Sequence, residues 1–287
     1  FGLMVGLVLM TICLSGQILA QKAKPKPKPK PKTAPTQTNS KNSAADKLLD
    51  EGIKLFEQGT KESLEAAASK FDSAVRIYQG SEGTANALML LGRTYKKLND
   101  LQTAFRHYNN ALVEYQSINN TEGKAAALNN MGGVMRDLGK FSEALGYYQQ
   151  SLPLMRQTNN KKGEAQTLNG IGECYFNLGN GQQALQNFQQ ADSIWQSLDS
   201  NEDKVRTTYN LGRIAFAYNE IQQGLNYLNK ALNESRHFDN PILEGDILEA
   251  LAAYYNATGD LTKAIDYRRQ IFNAYSNAKA SLVSVTR

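Results

Sequence analysis

The chain has 287 residues, of which 41% are apolar, and a formal net charge of +5 at pH 7. This length and composition allow a sizeable core and exclude a collagen-like or wholly disordered chain. The positive charge comes from one end, because residues 1–42 contain seven lysines and no acidic residue. The rest of the chain has 25 basic and 27 acidic residues, a net charge of −2, so the basic balance does not indicate a fold that binds nucleic acid.

The first twenty residues, FGLMVGLVLMTICLSGQILA, are apolar and carry no charge. Ile18 and Ala20 fit the small-residue pattern before a cleavage site, so residues 1–20 are predicted to be a secretory signal peptide. No basic residue precedes the apolar stretch, which leaves open that the chain starts further upstream. An uncleaved membrane anchor is the alternative, because about 20 apolar residues can just span a bilayer. With cleavage, the protein is expected to be exported to the periplasm, the cell envelope or the extracellular space.

Residues 21–43 follow as a linker in which lysine alternates with proline over residues 24–32. Alternating proline favours an extended polyproline II backbone, and repulsion between the lysines also keeps the segment extended. We therefore predict a disordered spacer. The alternative is a polycation that makes weak contact with an anionic surface or polymer.

A repeat of 40 residues begins at Thr84 and needs no gap. The blocks are residues 84–123, 124–163, 164–203, 204–243 and 244–283. Their ninth position is small, with Gly92, Gly132, Gly172, Gly212 and Ala252. Their sixteenth position is Asn or Gly, with Asn99, Gly139, Gly179, Asn219 and Gly259. Asn and Gly tolerate the left-handed conformation that ends a helix, and small residues recur where two helices approach closely.

Each block is therefore predicted to contain helix A over positions 1–15, a tight turn, helix B over positions 18–34 and a polar link. One such helix pair cannot bury its own apolar face, so the pairs must stack into a solenoid. Residues 44–83 are predicted to be an irregular N-terminal unit. Gly52 lies 40 residues before Gly92, but the helix B sequence of this unit fits the others only after a shift of about three residues.

The motifs LGRTY at 91–95 and IGECY at 171–175 resemble the Leu-Gly-x-x-Tyr element of tetratricopeptide repeats. The resemblance covers about residues 44–279 and implies an all-α, right-handed superhelical solenoid of antiparallel helix pairs. Two features depart from the family pattern, because the period is 40 rather than 34 and the usual proline at the repeat end is absent. The longer period resembles kinesin light chains and the bacterial arrays that precede caspase-like CHAT domains.

The resemblance also implies that the A helices line a concave groove that holds a peptide of a partner protein. The third, sixth, seventh, tenth and thirteenth positions of each block should face it. Twelve residues at these positions are the predicted groove residues: Asn86, Arg93, Lys96, Asn129, Asn130, Arg136, Asn169, Glu173, Arg206, Tyr209, Asn210 and Arg213. Gln166, Phe176 and Phe216 occupy the same positions. Asn can pair with a peptide backbone and Arg with carboxylates, so we predict a peptide with acidic groups. The alternative is that these side chains form ordinary solvated helix faces.

No arrangement for catalysis is evident in the sequence. His107 and His237 lie in different repeats, no metal-ligand spacing occurs, and Cys174 occupies an apolar helix A position that predicts a buried thiol. We therefore predict a protein that is not an enzyme and needs no metal or other cofactor. The repeated aromatic positions are predicted to form the core rather than a stacking platform for nucleic acid. They include Tyr95, Tyr108, Tyr148, Tyr175, Phe188 and Trp195.

Three hypotheses for function remain open. The first is an exported scaffold that binds a protein partner in its groove, and it needs only the features described. The second is the sensing part of a larger protein with an effector, such as a CHAT-type protease, beyond residue 287; the ending SNAKASLVSVTR lacks the polar capping helix usual in solenoids. The third makes the Lys-Pro linker the binding element and the repeats a spacer. We favour the first.

Overall fold

The computed structural model describes residues 37–198, 202–238 and 240–285. These residues form twelve α-helices and no strand. The helices are α1 (Gln37–Gln58), α2 (Lys61–Tyr78), α3 (Glu82–Lys97), α4 (Leu101–Ser117), α5 (Thr121–Asp137), α6 (Phe141–Gln157), α7 (Lys161–Asn177), α8 (Gly181–Trp195), α9 (Glu202–Ala217), α10 (Ile221–Ser235), α11 (Pro241–Ala257) and α12 (Leu261–Val285). The predicted signal peptide and the Lys-Pro stretch lie outside the described residues.

Consecutive helices pack as pairs, and the pairs stack in chain order. From α3 to α11, helix A of each pair also contacts helix A of the next, so these helices form one continuous layer with the B helices behind it. The predicted all-α solenoid of helix pairs is therefore confirmed. Helix α1 begins at Gln37, so it includes residues 37–43, which we assigned to the linker. The last proline before this helix is Pro35, and the sequence after it can continue a helical backbone. Within the described ranges, every helix is too short or too polar to be a membrane span.

The glycine at the ninth position makes room for a large side chain of helix B. A Cβ atom built on Gly172 would lie 2.6 Å from Cε1 of Phe188, which is almost completely buried. The same contact joins Gly92 to Tyr108, Gly132 to Tyr148 and Gly212 to Leu228, always sixteen residues apart. In the first pair Gly52 contacts Phe71, nineteen residues away, which confirms the predicted three-residue shift. Burial of the ring offsets the roughly 1 kcal/mol that a helical glycine costs.

The sixteenth position ends helix A in the left-handed conformation, as predicted. The φ angles are 61° at Asn99, 73° at Gly139, 78° at Gly179, 61° at Asn219 and 82° at Gly259. The chain can therefore reverse into helix B within a few residues.

The aromatic residues predicted to form the core do so to different degrees. Tyr108, Tyr148, Phe188 and Trp195 are buried, and Trp195 donates from Nε1 to Oγ1 of Thr207 at 3.1 Å. The predicted core residues Tyr95 and Tyr175 are only half-buried. Both are the last residue of the Leu-Gly-x-x-Tyr element, and Tyr95 stacks on His107 of helix α4.

An asparagine in the polar link joins neighbouring repeats, which the sequence analysis did not anticipate. Oδ1 of Asn160 accepts from the backbone N–H of Gly163 at 2.8 Å and so caps α7, while Nδ2 donates to Glu122 at the start of α5, at 3.3 Å. The same pair of contacts occurs at Asn120 with Glu82 and at Asn240 with Glu202. The sequence signal is an Asn that returns every 40 or 80 residues, 38 residues after a glutamate.

Replacing Asn160 with alanine should lower the free energy of unfolding by about 1 kcal/mol, because α7 loses its N-cap and the bond to Glu122 is lost. Urea denaturation followed by circular dichroism would measure the change. Asn187→Ala is the matched control, since Nδ2 of Asn187 bonds only to Gln183 O within its own helix. Equal stability of the two variants would show that the capping contact contributes nothing.

Candidate functional site

A cleft of about 450 Å³ opens on the A-helix layer, between α3, α5, α7 and α9. Six of the predicted groove residues line it: Lys96, Asn129, Asn130, Arg136, Asn169 and Arg206. Gly133, Asp137, Tyr148, Gln166 and Asp203 complete the lining. The periodic positions of the sequence therefore converge on one site that spans four repeats.

The remaining predicted groove residues lie outside the lining of this cleft. Asn86 is exposed, and its Oδ1 accepts from the hydroxyl of Tyr115 at 2.6 Å. Arg93 is also exposed, with its guanidinium 5.4 Å from the ring centroid of Phe56. The other four, Glu173, Tyr209, Asn210 and Arg213, lie on α7 and α9 beside the cleft.

Two cations of the cleft are paired within the protein. Arg136 donates from Nη1 to Glu173 at 2.7 Å and from Nη2 to Asp137 at 2.8 Å. Lys96 lies 3.0 Å from Asp137. Burial opposes ionisation of Asp137, but the charges of Arg136 and Lys96 outweigh it and hold the pKa of Asp137 below its usual value. These two predicted groove residues therefore form an ion-pair network across α3, α5 and α7.

Glu173 is the centre of this network, with its side chain only 14% exposed. Besides Arg136, it accepts from Nδ2 of Asn169 at 2.8 Å and from Nδ2 of Asn210 at 3.0 Å. Asn169 in turn accepts from Thr207 at 3.2 Å. Four of the predicted groove residues thus bond to one another across α5, α7 and α9, and together they form a polar floor for the cleft.

Other polar groups of the cleft are free to meet a ligand. Among the described residues, neither Asn130 nor Arg206 has a hydrogen-bond or ion-pair partner. Asn129 accepts at Oδ1 from the hydroxyl of Thr167 at 2.9 Å, which leaves its Nδ2 available. The cleft therefore offers amides at one end and an unpaired guanidinium at the other.

The sequence profile that describes the tetratricopeptide repeat matches residues 83–157 and 163–233, just over half of the chain. The chain belongs to the tetratricopeptide repeat family. No curated protein sequence matches it.

Several solved structures share this tetratricopeptide fold. BtubC (BKLC) from P. vanneervenii is 16% identical, with a TM-score of 0.58 over 85% of this chain and 93% of that chain. The Rap conjugation gene regulator of the plasmid pLS20, in complex with the Phr* peptide, is 14% identical, with a TM-score of 0.60 over 81% and 74%. A putative kinesin light chain of Podosopora anserina is 14% identical, with a TM-score of 0.52 over 67% and 96%. At these identities the similarity establishes the fold alone, and it agrees with the predicted resemblance to kinesin light chains.

One residue that shapes this tetratricopeptide cleft was missed in the sequence. The tenth position of the block carries Arg93, Glu173 and Arg213 in other repeats but Gly133 here. A Cβ atom on Gly133 would lie 3.3 Å from Nζ of Lys96, so even alanine would narrow the opening. The sequence signal that could have revealed this opening is a glycine at a groove-facing position where three other repeats carry a long side chain.

Next to the cleft, Arg213 is held in place by aromatic rings. Its guanidinium carbon lies 4.5 Å from the ring centroid of Phe176 and 5.5 Å from that of Tyr209. Nη1 also donates to Oδ1 of Asn210 at 3.3 Å. Such stacking fixes the orientation of a guanidinium while leaving its charge unpaired.

Cys174 and His107, whose side chains can be reactive in other proteins, pack inside the tetratricopeptide array. Cys174 is completely buried, and burial raises the pKa of its thiol to about 12, so it does not form a nucleophilic thiolate near neutral pH. His107 stacks on Tyr95 with ring centroids 5.3 Å apart, and burial lowers its pKa. In the part of the chain that the structure describes, no group of three His, Cys, Asp or Glu side chains is placed to hold a metal ion. The predicted buried thiol is therefore confirmed, and the structure shows that His107 packs against Tyr95.

Proposed function

We propose that the protein is a non-enzymatic scaffold that binds an extended peptide segment of a partner protein in the cleft between α3, α5, α7 and α9. The unpaired Asn130 and Arg206, on opposite sides of a polar floor, carry this proposal. The tetratricopeptide fold supports it, since the Rap regulator of the same fold is in complex with a peptide.

The paired network narrows the expected ligand. Lys96 and Arg136 are already neutralised by carboxylates of the protein, so the preference for acidic groups rests on Arg206 and, beside the cleft, on Arg213. The amide of Asn130 can both donate to and accept from a peptide backbone. We therefore infer a ligand with one or two carboxylates, placed so that one meets Arg206 when the backbone crosses α5.

The proposed function also includes expectations for nucleic acid, for anionic surfaces and for export from the cell. Most of the repeated aromatic rings are buried within and between the helix pairs, so we expect no nucleic acid ligand. The protein is proposed to be exported, with residues 1–20 removed, and its Lys-Pro segment to make at most weak contact with anionic surfaces.

Arg206→Glu should weaken the binding of acidic peptides by about tenfold or more. The probes are fluorescein-labelled ten-residue peptides, selected on the immobilised protein, in pairs that differ only by Glu or Gln at the acidic positions. Fluorescence anisotropy would measure their affinities. Arg106→Glu is the matched control, because Arg106 is exposed on α4, outside the cleft.

Equal binding by wild type and Arg206→Glu would place the site elsewhere, and equal affinity for the Glu and Gln peptides would contradict the acidic preference. Export has a separate test, which is the intact mass of the protein from its native source. A mass that includes residues 1–20 would contradict signal cleavage.

A further inference from the structure

Helix α12 exposes an apolar stripe along one face. Leu261 is 58% exposed, Ile265 56%, Phe272 71% and Tyr275 45%. Their spacing of four, seven and three residues places them on the same side of the helix. An apolar surface of this kind, on a helix that otherwise carries charged residues, indicates an interaction surface.

The same repeat positions are covered in the other blocks. The position of Ile265 is taken by Phe105, Leu145, Leu185 and Leu225, which are half-buried. The position of Tyr275 is taken by Tyr115, Met155, Trp195 and Ser235, which are buried. The helix A that follows contributes to the cover, as in α8, where Leu185 packs against the cluster that contains Leu211 and Ile214 of α9 and Trp195 bonds to Thr207 of α9. The stripe on α12 therefore has the same apolar composition as the faces that pack on the next repeat in the other blocks. Tyr275 lies partly against Gly245 of α11, and the stripe as a whole remains exposed.

The opposite end of the stack is built differently. With Gly52 at the ninth position, the eighth and eleventh positions of α1 hold Glu51 and Lys54. In the next four pairs these positions hold buried residues that face the preceding helix B, such as Met131 and Val134. Glu51 instead makes an ion pair with Lys70 at 2.6 Å. At these two positions α1 is thus polar, whereas α12 retains apolar side chains along its exposed stripe.

Arg268 lies in the middle of the stripe and restricts what can cover it. In the four preceding blocks this position holds a buried side chain: Tyr108, Tyr148, Phe188 or Leu228. These are permanent junctions within the chain, and they are apolar. A charged residue at the centre keeps the face soluble while it is uncovered, and arginine is enriched at the interfaces of separate proteins. An apolar stripe with an arginine at its centre therefore favours a partner protein that binds reversibly.

A second copy of this chain is a poor match for the apolar stripe on α12. Two α12 helices packed antiparallel about the centre of the stripe would place Arg268 against its own copy. Stacking α12 on α1 of another copy would bury Phe272 and Ile265 against a polar surface.

We propose that this face of α12 docks an amphipathic helix of a partner protein, whose apolar stripe carries a carboxylate opposite Arg268. This would be a second binding surface, on α12 rather than on the cleft helices, and it does not depend on the peptide-binding function proposed for the cleft.

The probe for this surface is a labelled peptide of residues 161–178, which include the helix that covers α6. In the protein, Tyr148 of α6 lies against Gly170, and Arg268 occupies the position of Tyr148 in its own block. Gly170→Glu therefore places a carboxylate opposite Arg268, and Gly170→Lys is the matched peptide. Both carry Cys174→Val to prevent oxidation.

Anisotropy titrations of the full chain should show that the Gly170→Glu peptide binds about tenfold or more tightly than the Gly170→Lys peptide. Arg268→Glu in the protein should reverse this order, and Phe272→Glu should weaken both peptides. Val113→Glu is the control for added charge, because Val113 is an exposed apolar residue of α4. Circular dichroism would confirm that the variants fold, as expected for substitutions at exposed positions.

Failure of both peptides to bind would overturn the proposal, as would equal affinities or binding that Phe272→Glu leaves unchanged. Sedimentation as a dimer that Phe272→Glu dissociates would also overturn it, because the face would then belong to a second copy.

Discussion

Gly172→Ala should lower the free energy of unfolding by about 2 kcal/mol, even though alanine is the better helix former by roughly 1 kcal/mol. The new methyl carbon would lie 2.6 Å from one ring carbon of Phe188 and 2.7 Å from another. The ring is 1% exposed, so it cannot move aside without displacing α9. Urea denaturation followed by circular dichroism would measure the loss.

Gly146→Ala is the matched substitution. Gly146 lies inside α6, and a Cβ atom there would meet nothing within 4 Å. This variant should therefore gain about 0.5–1 kcal/mol from helix propensity alone. A gain in stability for both variants would mean that Phe188 does not need the space above Gly172. In a Phe188→Ala background the cost of Gly172→Ala should disappear, because the clashing ring is gone.

Glu173→Ala should destabilise the protein further, by about 3 kcal/mol or more. The carboxylate accepts from Arg136, Asn169 and Asn210, and its removal takes away an acceptor that donors of three helices share. Asp137 continues to pair with Arg136, so the loss should stay at the lower end of the range for a broken buried ion pair. Thermal and urea denaturation would both report the change.

Glu143→Ala is the control for the loss of a charge at the surface. The side chain of Glu143 is 56% exposed, and its ion pair with Lys140 spans 3.2 Å, so the expected change is below about 1 kcal/mol. Glu173→Gln should fall between the two, since the amide retains one acceptor but brings a donor toward Arg136. If Glu173→Ala were as mild as Glu143→Ala, the polar floor would be a solvated surface rather than a buried network.

The sequence was sufficient for the fold because the repeat encodes its own packing. Gly132 marks the place where Tyr148 packs, and Gly139 marks the end of the helix; both assignments need only the 40-residue register. The irregular first unit was also recognisable, because Gly52 kept the register while Phe71 was shifted.

The site was predicted less completely, because register shows which residues face the groove but not which of them pair with each other. Arg136 and Glu173 were both expected to meet a ligand, and they instead bond to each other across α5 and α7. Their opposite charges, 37 residues apart, are close to one repeat length, so the pairing could have been read as a contact between neighbouring helices. Arg206 also has an opposite charge one repeat away, since it interacts with the carboxylate of Asp246, but the described residues place no carboxylate oxygen within ion-pair distance of it.

Two further differences arise from local geometry. Asn86 and Arg93 have the right periodic positions, but the cleft opens only from Lys96 onward, where Gly133 leaves space beside α5. The opening depends on the absence of a side chain, which a search for chemically active residues does not detect. In the sequence, Asn120 and Asn160 could be assigned only to the polar links between repeats. Their capping bonds and their bonds to the preceding repeat leave no periodic apolar pattern that would reveal them.

The links from Asn120 to Glu82, from Asn160 to Glu122 and from Asn240 to Glu202 also bear on the shape of the groove. Each joins the start of one A helix to the start of the A helix one repeat earlier, and so resists rotation of one repeat against the next. These links therefore help to set the pitch of the superhelix, and so the curvature that a bound peptide must follow. They act at the starts of the A helices, away from the floor of the cleft. A change of length in one of these polar links would alter the reach of the binding surface without changing any residue that lines it.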